Sequence, residues 1–213
     1  MADPQTPTQP DNDQQRATGP IAVPARLQRL IDTVIPRLNE RFGHDALTFH
    51  PYRDELTVKV AKDLVHDLVA FLRDDDALRF NMMVDIHVVD WYRRTDRFEM
   101  IYNLWSLETR MRLRVTCFTQ EKDPHVDTMT DLYKSADWYE REAYDMHGVI
   151  FDGHPDLRRM YMPEDFVDPE TGEPLYPLRK EFPVMGIPGS MPLPEREIPM
   201  STQAKKGTGP SLN

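Results

Sequence analysis

Three consecutive segments in the middle of the chain alternate between apolar and polar residues, and no other feature constrains the fold as much. They span residues 82–92, 98–107 and 111–118. In the last segment Leu113 and Val115 alternate with arginines, and a period of two places such residues on opposite faces of a β-strand. The links between the segments are too short for a parallel crossover. We therefore predict three antiparallel neighbours in one sheet.

Two segments show instead the spacing of amphipathic helices. Apolar residues recur every three to four positions over residues 27–42 and again over residues 63–73. Gly43 is a natural end for the first of these helices. Pro36 lies inside it and lacks the amide hydrogen that the helix ladder needs, so we expect a kink or break there.

Shorter alternating runs lie between the two helices. Residues 47–49 and 56–60 alternate, and residues 51–54 between them have the composition of a hairpin turn. Together with the three longer segments they make about five strands. We expect an α+β fold: a mostly antiparallel sheet with helices on one face, followed by a long extended proline-rich C-terminal segment.

A third, short helix is predicted at residues 137–148. Asp137 and Glu140 have the spacing of a capping box, and Gly148 is a natural C-terminal stop. After it, ten prolines between residues 155 and 199 exclude long helices and central strands. An extended segment that lies across a partner is the natural interpretation.

The chain thus divides into three predicted parts. Residues 1–20 are expected to form a disordered N-terminal arm, because the start of the chain is acidic, rich in Pro and Gln, and unlike a signal peptide. Residues 21–150 are expected to form an α+β globular domain. Residues 151–213 are expected to form the extended partner-binding segment, with a flexible end.

Composition excludes several classes of function. A formal net charge of −10 argues against a general nucleic-acid binder. The single cysteine, Cys117, excludes an internal disulfide and a self-contained iron–sulfur cluster. Its alternation with Leu113 and Val115 predicts a buried core residue and not a reactive thiol. No run approaches the roughly 18 apolar residues that a membrane-spanning helix needs.

The most specific motif begins in the third predicted helix and continues past its end. Its characteristic residues are Glu140, Arg141, Glu142, Asp145, Gly148, Phe151, Gly153, His154, Pro155, Asp156, Leu157, Arg158 and Arg159. This motif resembles the signature of the C-type subunit family of NADH:quinone oxidoreductase, or respiratory complex I. Residues 131–138 and 177–183 are similar to the family's segments before and after it, so the likeness covers about residues 82–183. One departure is His147, where such proteins more often have an apolar or aromatic residue.

The resemblance implies a cofactor-free structural and assembly subunit of the peripheral arm. In such a complex electrons pass from NADH through FMN and iron–sulfur clusters to quinone, coupled to proton translocation, and those groups are held by partner subunits. The implied partners are the quinone-site subunit of the D type and the terminal-cluster subunit of the B type. The implied location is the cytoplasmic side of the inner (plasma) membrane, as a peripheral protein.

For this role the motif offers charged and apolar contacts. Three arginines have guanidinium groups suited to bidentate bonds with partner carboxylates, and three apolar side chains suit partner pockets. The arginines are Arg141, Arg158 and Arg159, and the apolar residues are Phe151, Leu157 and Tyr161. A proline-fixed segment also loses less conformational entropy on binding than a flexible one.

Other interpretations remain open from sequence. The equivalent subunit of a ferredoxin- or hydrogenase-linked complex would have the same connecting role with another electron donor. A free-standing metal hydrolase would use His147, His154 and the flanking Asp152 and Asp156, although these lack a recognised ligand spacing. The carboxylates of the third helix suit a solvated or interface face better than acid–base catalysis.

A basic stripe is a further open point. Arg110, Arg112 and Arg114 line one side of a predicted strand. Such a stripe can contact RNA, but the negative net charge of the whole chain favours an exposed face or a contact between subunits.

Overall fold

The computed structural model describes residues 24–183, and the arm predicted for residues 1–20 and the flexible end lie outside them. The elements follow in the order α1 Ala25–Phe42, β1 Leu47–Tyr52, β2 Glu55–Val60, a 3-10 turn Lys62–Leu64, α2 Val65–Asp74, β3 Met82–Asp90, β4 Phe98–Ser106, β5 Met111–Thr119, β6 His125–Asp127, α3 Ala136–His147 and β7 Ile150–Asp152. The α+β class is confirmed.

The main sheet has five strands in the order β1-β2-β5-β4-β3. The three antiparallel neighbours predicted from alternation are confirmed, with Tyr102 opposite both Ile86 and Val115. The β1–β2 hairpin is also antiparallel and turns at residues 53–54. The sheet is nonetheless mixed, because β2 runs parallel to β5 with Val58 opposite Val115. A second, two-stranded parallel sheet of β6 and β7 was not predicted, since each strand has only three residues.

One hydrophobic core unites the sheet and the helices. The side chains of β4 alternate strictly between buried and partly exposed along its nine residues. The buried ones join the buried face of α1, including Val34 and Leu38, and that of α2, including Leu68. Cys117 is fully buried in this core, as predicted, and burial raises the pKa of its thiol to about 12.

Two local expectations need correction. First, α1 has no break at Pro36, because one helix covers Ala25–Phe42; a kink at this residue stays a prediction. Pro36 is exposed, and Val34 and Leu38 on either side of it are buried, so packing holds both turns although one backbone hydrogen bond is missing. Second, Asp137 and Glu140 form no capping box: the residue before α3 is Ser135, and no side chain caps the helix start.

Candidate functional site

The centre of the motif is the carboxylate of Asp145, which is fully buried on α3. Its Oδ2 accepts the backbone N–H groups of Met160, Tyr161 and Met162 at 3.0, 2.6 and 2.9 Å. Burial alone would raise the pKa of Asp145, but these three donors and Arg159 together lower it. One ionised side chain thus fixes a turn of the chain about fifteen residues downstream.

Arg159 is the counter-charge of Asp145. Its Nη1 donates to Asp145 Oδ1 at 3.0 Å, and its side chain is only 8% exposed. The same guanidinium also donates to the carbonyls of Leu175 and Phe166 at 3.1 and 3.4 Å. The rings of Phe166 and Tyr176 lie against it. The ion pair therefore ties α3 to residues 153–183, which we call the strap.

Glu140 faces the other way, into the loop before α3. Its carboxylate accepts the Thr128 hydroxyl at 2.5 Å and the backbone N–H of Met129 at 2.6 Å. Glu140 is fully buried, and burial raises its pKa to about 7 although these two donors act against the shift. Glu140 therefore holds the loop before α3 and does not cap the helix.

Arg141 and His154 join the motif to its own downstream residues. Arg141 is buried and donates to the carbonyls of Arg158 and Arg159 at 3.3 and 3.4 Å. The buried His154 side chain places Nε2 3.3 Å from the Asp137 carbonyl, and its Nδ1 accepts the backbone N–H of Asp156 at 3.0 Å. The motif is therefore a network that bonds largely to itself.

Gly148 is required at the end of α3. It has φ 75° and ψ 29°, the left-handed conformation that favours glycine. A Cβ at this position would lie 2.6 Å from Tyr176 Cζ and 2.7 Å from Arg179 Nη2. Arg179 in turn donates to the His147 carbonyl at 2.7 Å. The absence of a side chain at Gly148 is what lets the strap return to the helix.

A second buried ion pair lies where the strap ends, and sequence reasoning missed it. Arg97 donates twice to Asp90, at 2.9 and 2.8 Å, and both side chains are buried. Asp90 Oδ2 also accepts the backbone N–H of Lys180 at 2.9 Å, and Glu181 pairs with Arg97. These donors lower the pKa of Asp90 although burial opposes them. The available signal was Asp90 itself, a charge inside an apolar strand.

His147, the departure from the family pattern, lies beside this junction. It is buried, and burial lowers its pKa to about 4; nearby Asp90 opposes this shift, whereas Arg179, Lys180 and Arg97 act in the same direction as burial. The imidazole is therefore neutral at neutral pH and occupies the position as a packing residue.

The other motif residues divide between core and surface. Phe151 lies in the chain's own core, and Leu157 packs against it. Glu142, Gly153, Pro155, Asp156 and Arg158 are exposed. Their predicted roles in a partner interface stay predictions. Large apolar side chains near the motif do face solvent, namely Trp138, Tyr161 and Leu178.

The ligand set of the metal hydrolase alternative is not assembled. His154 contacts Asp137 and Asp156, whereas His147 lies near Asp90 and Arg179. Within residues 24–183, no three side chains of His, Cys, Asp or Glu are grouped as metal ligands.

Comparisons with known proteins identify similar families and relatives. A family model described as the 30 kDa subunit of respiratory-chain NADH dehydrogenase matches residues 58–187. The C-type subunit of NADH-quinone oxidoreductase from Mycolicibacterium gilvum is 37% identical over 183 residues, which cover 81% of this chain and 78% of that protein.

Two solved structures are similar as well. The trypsin-resistant fragment of Nqo5 has a TM-score of 0.51 and 30% identity, over 62% of this chain and 99% of the fragment. A chain of an archaeal membrane-bound sulfane sulfur reductase, described as a respiratory membrane complex, has a TM-score of 0.58 and 27% identity. That match covers 72% of this chain and 86% of the other.

The fold, the motif and these matches first define a class: a subunit of a respiratory membrane complex. The chain belongs to the 30 kDa subunit family of respiratory NADH dehydrogenase, which is the C-type subunit family of NADH:quinone oxidoreductase. Its place is the peripheral arm of complex I, and members of this family generally have no cofactor of their own. Over residues 24–183 no helix is long and apolar enough to cross a membrane.

Proposed function

We propose that this subunit has a connecting role in complex I: it joins the parts of the redox machinery without carrying out chemistry itself. Its partners are the quinone-site subunit of the D type and the terminal-cluster subunit of the B type. FMN, the iron–sulfur clusters and quinone belong to partner subunits, and the complete complex couples NADH oxidation to proton translocation. The subunit lies on the cytoplasmic side of the inner membrane, bound through its partners.

The observation that supports this proposal is how the strap is held. Buried Asp145 and Arg159 fix the strap on α3, and Asp90 and Arg97 fix its end. Tyr161 and Leu178 of this fixed segment still face solvent, as does Trp138 of α3. Apolar side chains on an already ordered backbone bind a partner with little further loss of entropy. The strap is therefore suited to being clamped between subunits.

Isolation of the tagged full-length chain from its native membranes in mild detergent tests the proposal. We expect iron–sulfur and quinone-site subunits in the eluate by mass spectrometry, together with NADH:quinone reductase activity. A lone chain without these partners would contradict the connecting role.

A pair of matched variants tests the exposed strap directly. Leu178 and Leu107 are equally exposed, both at 55%, but Leu107 lies at the β4–β5 turn, away from the motif. We expect Leu178→Asp to reduce the recovery of partner subunits, and Leu107→Asp to leave it unchanged. Equal recovery with both variants would remove Leu178 from the interface.

A second candidate function is the equivalent subunit of a complex with another electron donor. It is favoured by the similarity to the archaeal sulfane sulfur reductase complex. Activity of the same eluate with NADH, compared with reduced ferredoxin and with hydrogen, separates the two. Quinone reduction with NADH alone supports the first function.

A further inference from the structure

The tip of the β3–β4 hairpin, residues 91–94, presents two aromatic and two basic side chains together. Trp91 and Tyr92 are 41% and 43% exposed, and Arg93 and Arg94 follow them. This hairpin tip is a local basic patch on a chain with a formal net charge of −10. Trp, Tyr and Arg are the residues most enriched at energetically important interface positions.

The two arginines lie against the two rings. The guanidinium carbon of Arg94 is 4.1 Å from the centre of the Trp91 ring, and that of Arg93 is 5.5 Å from the Tyr92 ring. Neither guanidinium has a carboxylate within 4.0 Å among residues 24–183. Stacking covers the flat face of a guanidinium and leaves its N–H edge available for bidentate binding of a carboxylate.

The backbone of the hairpin tip is held in an unusual conformation. Tyr92 and Arg93 have φ values of 30° and 64°, which L-residues rarely adopt. Asp90 Oδ1 accepts the Tyr92 N–H at 2.8 Å, and the Trp91 indole donates to Glu99 at 2.7 Å. Positive φ values are usual in tight hairpin turns and also occur here at Arg53 and Arg110, so the bonds of Asp90 and Glu99 are what fix this particular turn. The tip is therefore preorganised by the same Asp90 that anchors the strap.

Charge around the tip limits what it can bind. Glu99 bonds to Trp91, Glu121 pairs with Arg97, and Asp96 lies in the same loop. These carboxylates oppose a broad anionic surface such as a lipid bilayer. A short acidic peptide segment, in contrast, needs only the N–H edges of Arg93 and Arg94, and the nearby Glu99 and Glu121 already have partners in Trp91 and Arg97.

We propose that the hairpin tip docks an acidic segment of a neighbouring subunit, with Arg93 and Arg94 binding its carboxylates between the Trp91 and Tyr92 rings. The inference rests on the connecting role proposed above, and it names the chemistry of one contact.

Photo-crosslinking in the assembled complex identifies the occupant. A photoreactive amino acid replaces Tyr92 in the full-length tagged chain, and in a control it replaces Tyr52 at the β1–β2 turn. Tyr52 is also exposed and also carries a stacked arginine, Arg53, at 5.3 Å. We expect the position 92 product to map to a segment of a neighbouring subunit that contains Asp or Glu. Crosslinks to lipid, or to a segment without acidic residues, overturn the proposal.

Charge reversal provides the quantitative test. The complex carrying Arg93→Glu and Arg94→Glu is washed with rising NaCl, and retention of the tagged chain is compared with wild type and with Arg93→Lys, Arg94→Lys. We expect the Glu variant to bind roughly tenfold more weakly, with less salt dependence, and the Lys variant to be intermediate because lysine lacks the planar fork.

Arg53→Glu is the matched control. Arg53 also has a positive φ, but it lies beside Asp54 in the β1–β2 turn, and its reversal should leave retention unchanged. If wild type retains its partners and the Glu variant matches it, the docking inference fails while the connecting role stands. If wild type itself has no partners, the connecting role fails first.

Discussion

The sheet and the motif are held together by different interactions. In the sheet, β4 and β5 bury apolar side chains at every second position against α1 and α2. Around α3, the buried groups that matter are Asp145 and Arg159, bonded to backbone atoms of the strap. Apolar packing is tolerant and non-directional, whereas a buried charge network requires every partner in place. A substitution in the sheet should therefore destabilise the whole chain, whereas a substitution in the motif should release the strap in particular.

The largest effect is expected from Asp145→Ala. The change leaves the Arg159 charge buried without its partner and removes the acceptor of three backbone N–H groups. Breaking a buried pair in this way costs about 3–5 kcal/mol. Urea unfolding of the purified chain measures the loss, and limited proteolysis should show early cleavage in the strap. Asp156→Ala removes an exposed pair with Arg158 and should change little.

Leu68→Ala is the corresponding change in the core. Leu68 is fully buried on α2, and truncating it loses about 2–5 kcal/mol through lost burial and a cavity. The two variants, Leu68→Ala and Asp145→Ala, should differ in where proteolysis begins. We expect Leu68→Ala to lower the unfolding midpoint of the whole chain without making the strap the first site of proteolysis. Early strap cleavage in this variant would contradict the division into two regions.

The Glu140→Gln variant tests the motif through the pH dependence of its stability. The pKa of Glu140 is raised to about 7 in the fold, so its contribution to stability is complete below its ordinary pKa and is lost as the pH rises through about 7. Glutamine does not titrate. The stability of the variant relative to wild type should therefore increase by about 3 kcal/mol between pH 4.5 and 8.

A pH series of urea unfolding on both proteins checks this difference. The effect of His147 on stability has the opposite pH dependence, because its pKa is lowered to about 4. Its contribution to stability is lost as the pH falls from the ordinary pKa of histidine towards 4. It is present in both proteins and cancels in the difference. A difference that does not change with pH would show that Glu140 is not held as a buried acid.

Gly148→Ala is expected to have a smaller effect. The new Cβ would clash with Tyr176 and Arg179, and the left-handed backbone adds strain, for a loss of about 1–3 kcal/mol. Gly172→Ala is the control, because Gly172 has nearly the same φ, 73° against 75°, with no atom within 4 Å of the added Cβ. Equal melting temperatures for the two variants would mean that the strap does not need the space at Gly148.

Sequence predicted the sheet better than the motif for a physical reason. Alternation over β4 and β5 reflects burial on one face, so the strands and their antiparallel pairing could be inferred from local pattern. The parallel pairing of β2 with β5 joins distant segments, and no periodicity encodes it. In the motif the residues were recognised, but their partners lie elsewhere: Thr128 for Glu140, and Met160 to Met162 for Asp145.

The Arg97–Asp90 junction shows the same limit. Its members come from β3, the loop before β4 and the strap. In the sequence, only the charge of Asp90 within an apolar run indicated this junction. Buried charges in strands are rare unless they are paired. A charged residue in an apolar run is therefore a reason to search for its partner, even when the partner's identity cannot be inferred.

Amide hydrogen exchange in residues 158–163 of the full-length chain tests the central claim most directly. If the Asp145 carboxylate fixes the strap, the amides of Met160, Tyr161 and Met162 are protected in wild type and exchange rapidly in Asp145→Ala, which has no acceptor, while those of β4 and β5 keep their protection. Rapid exchange of the three amides already in wild type would contradict the claim that this buried carboxylate holds the strap.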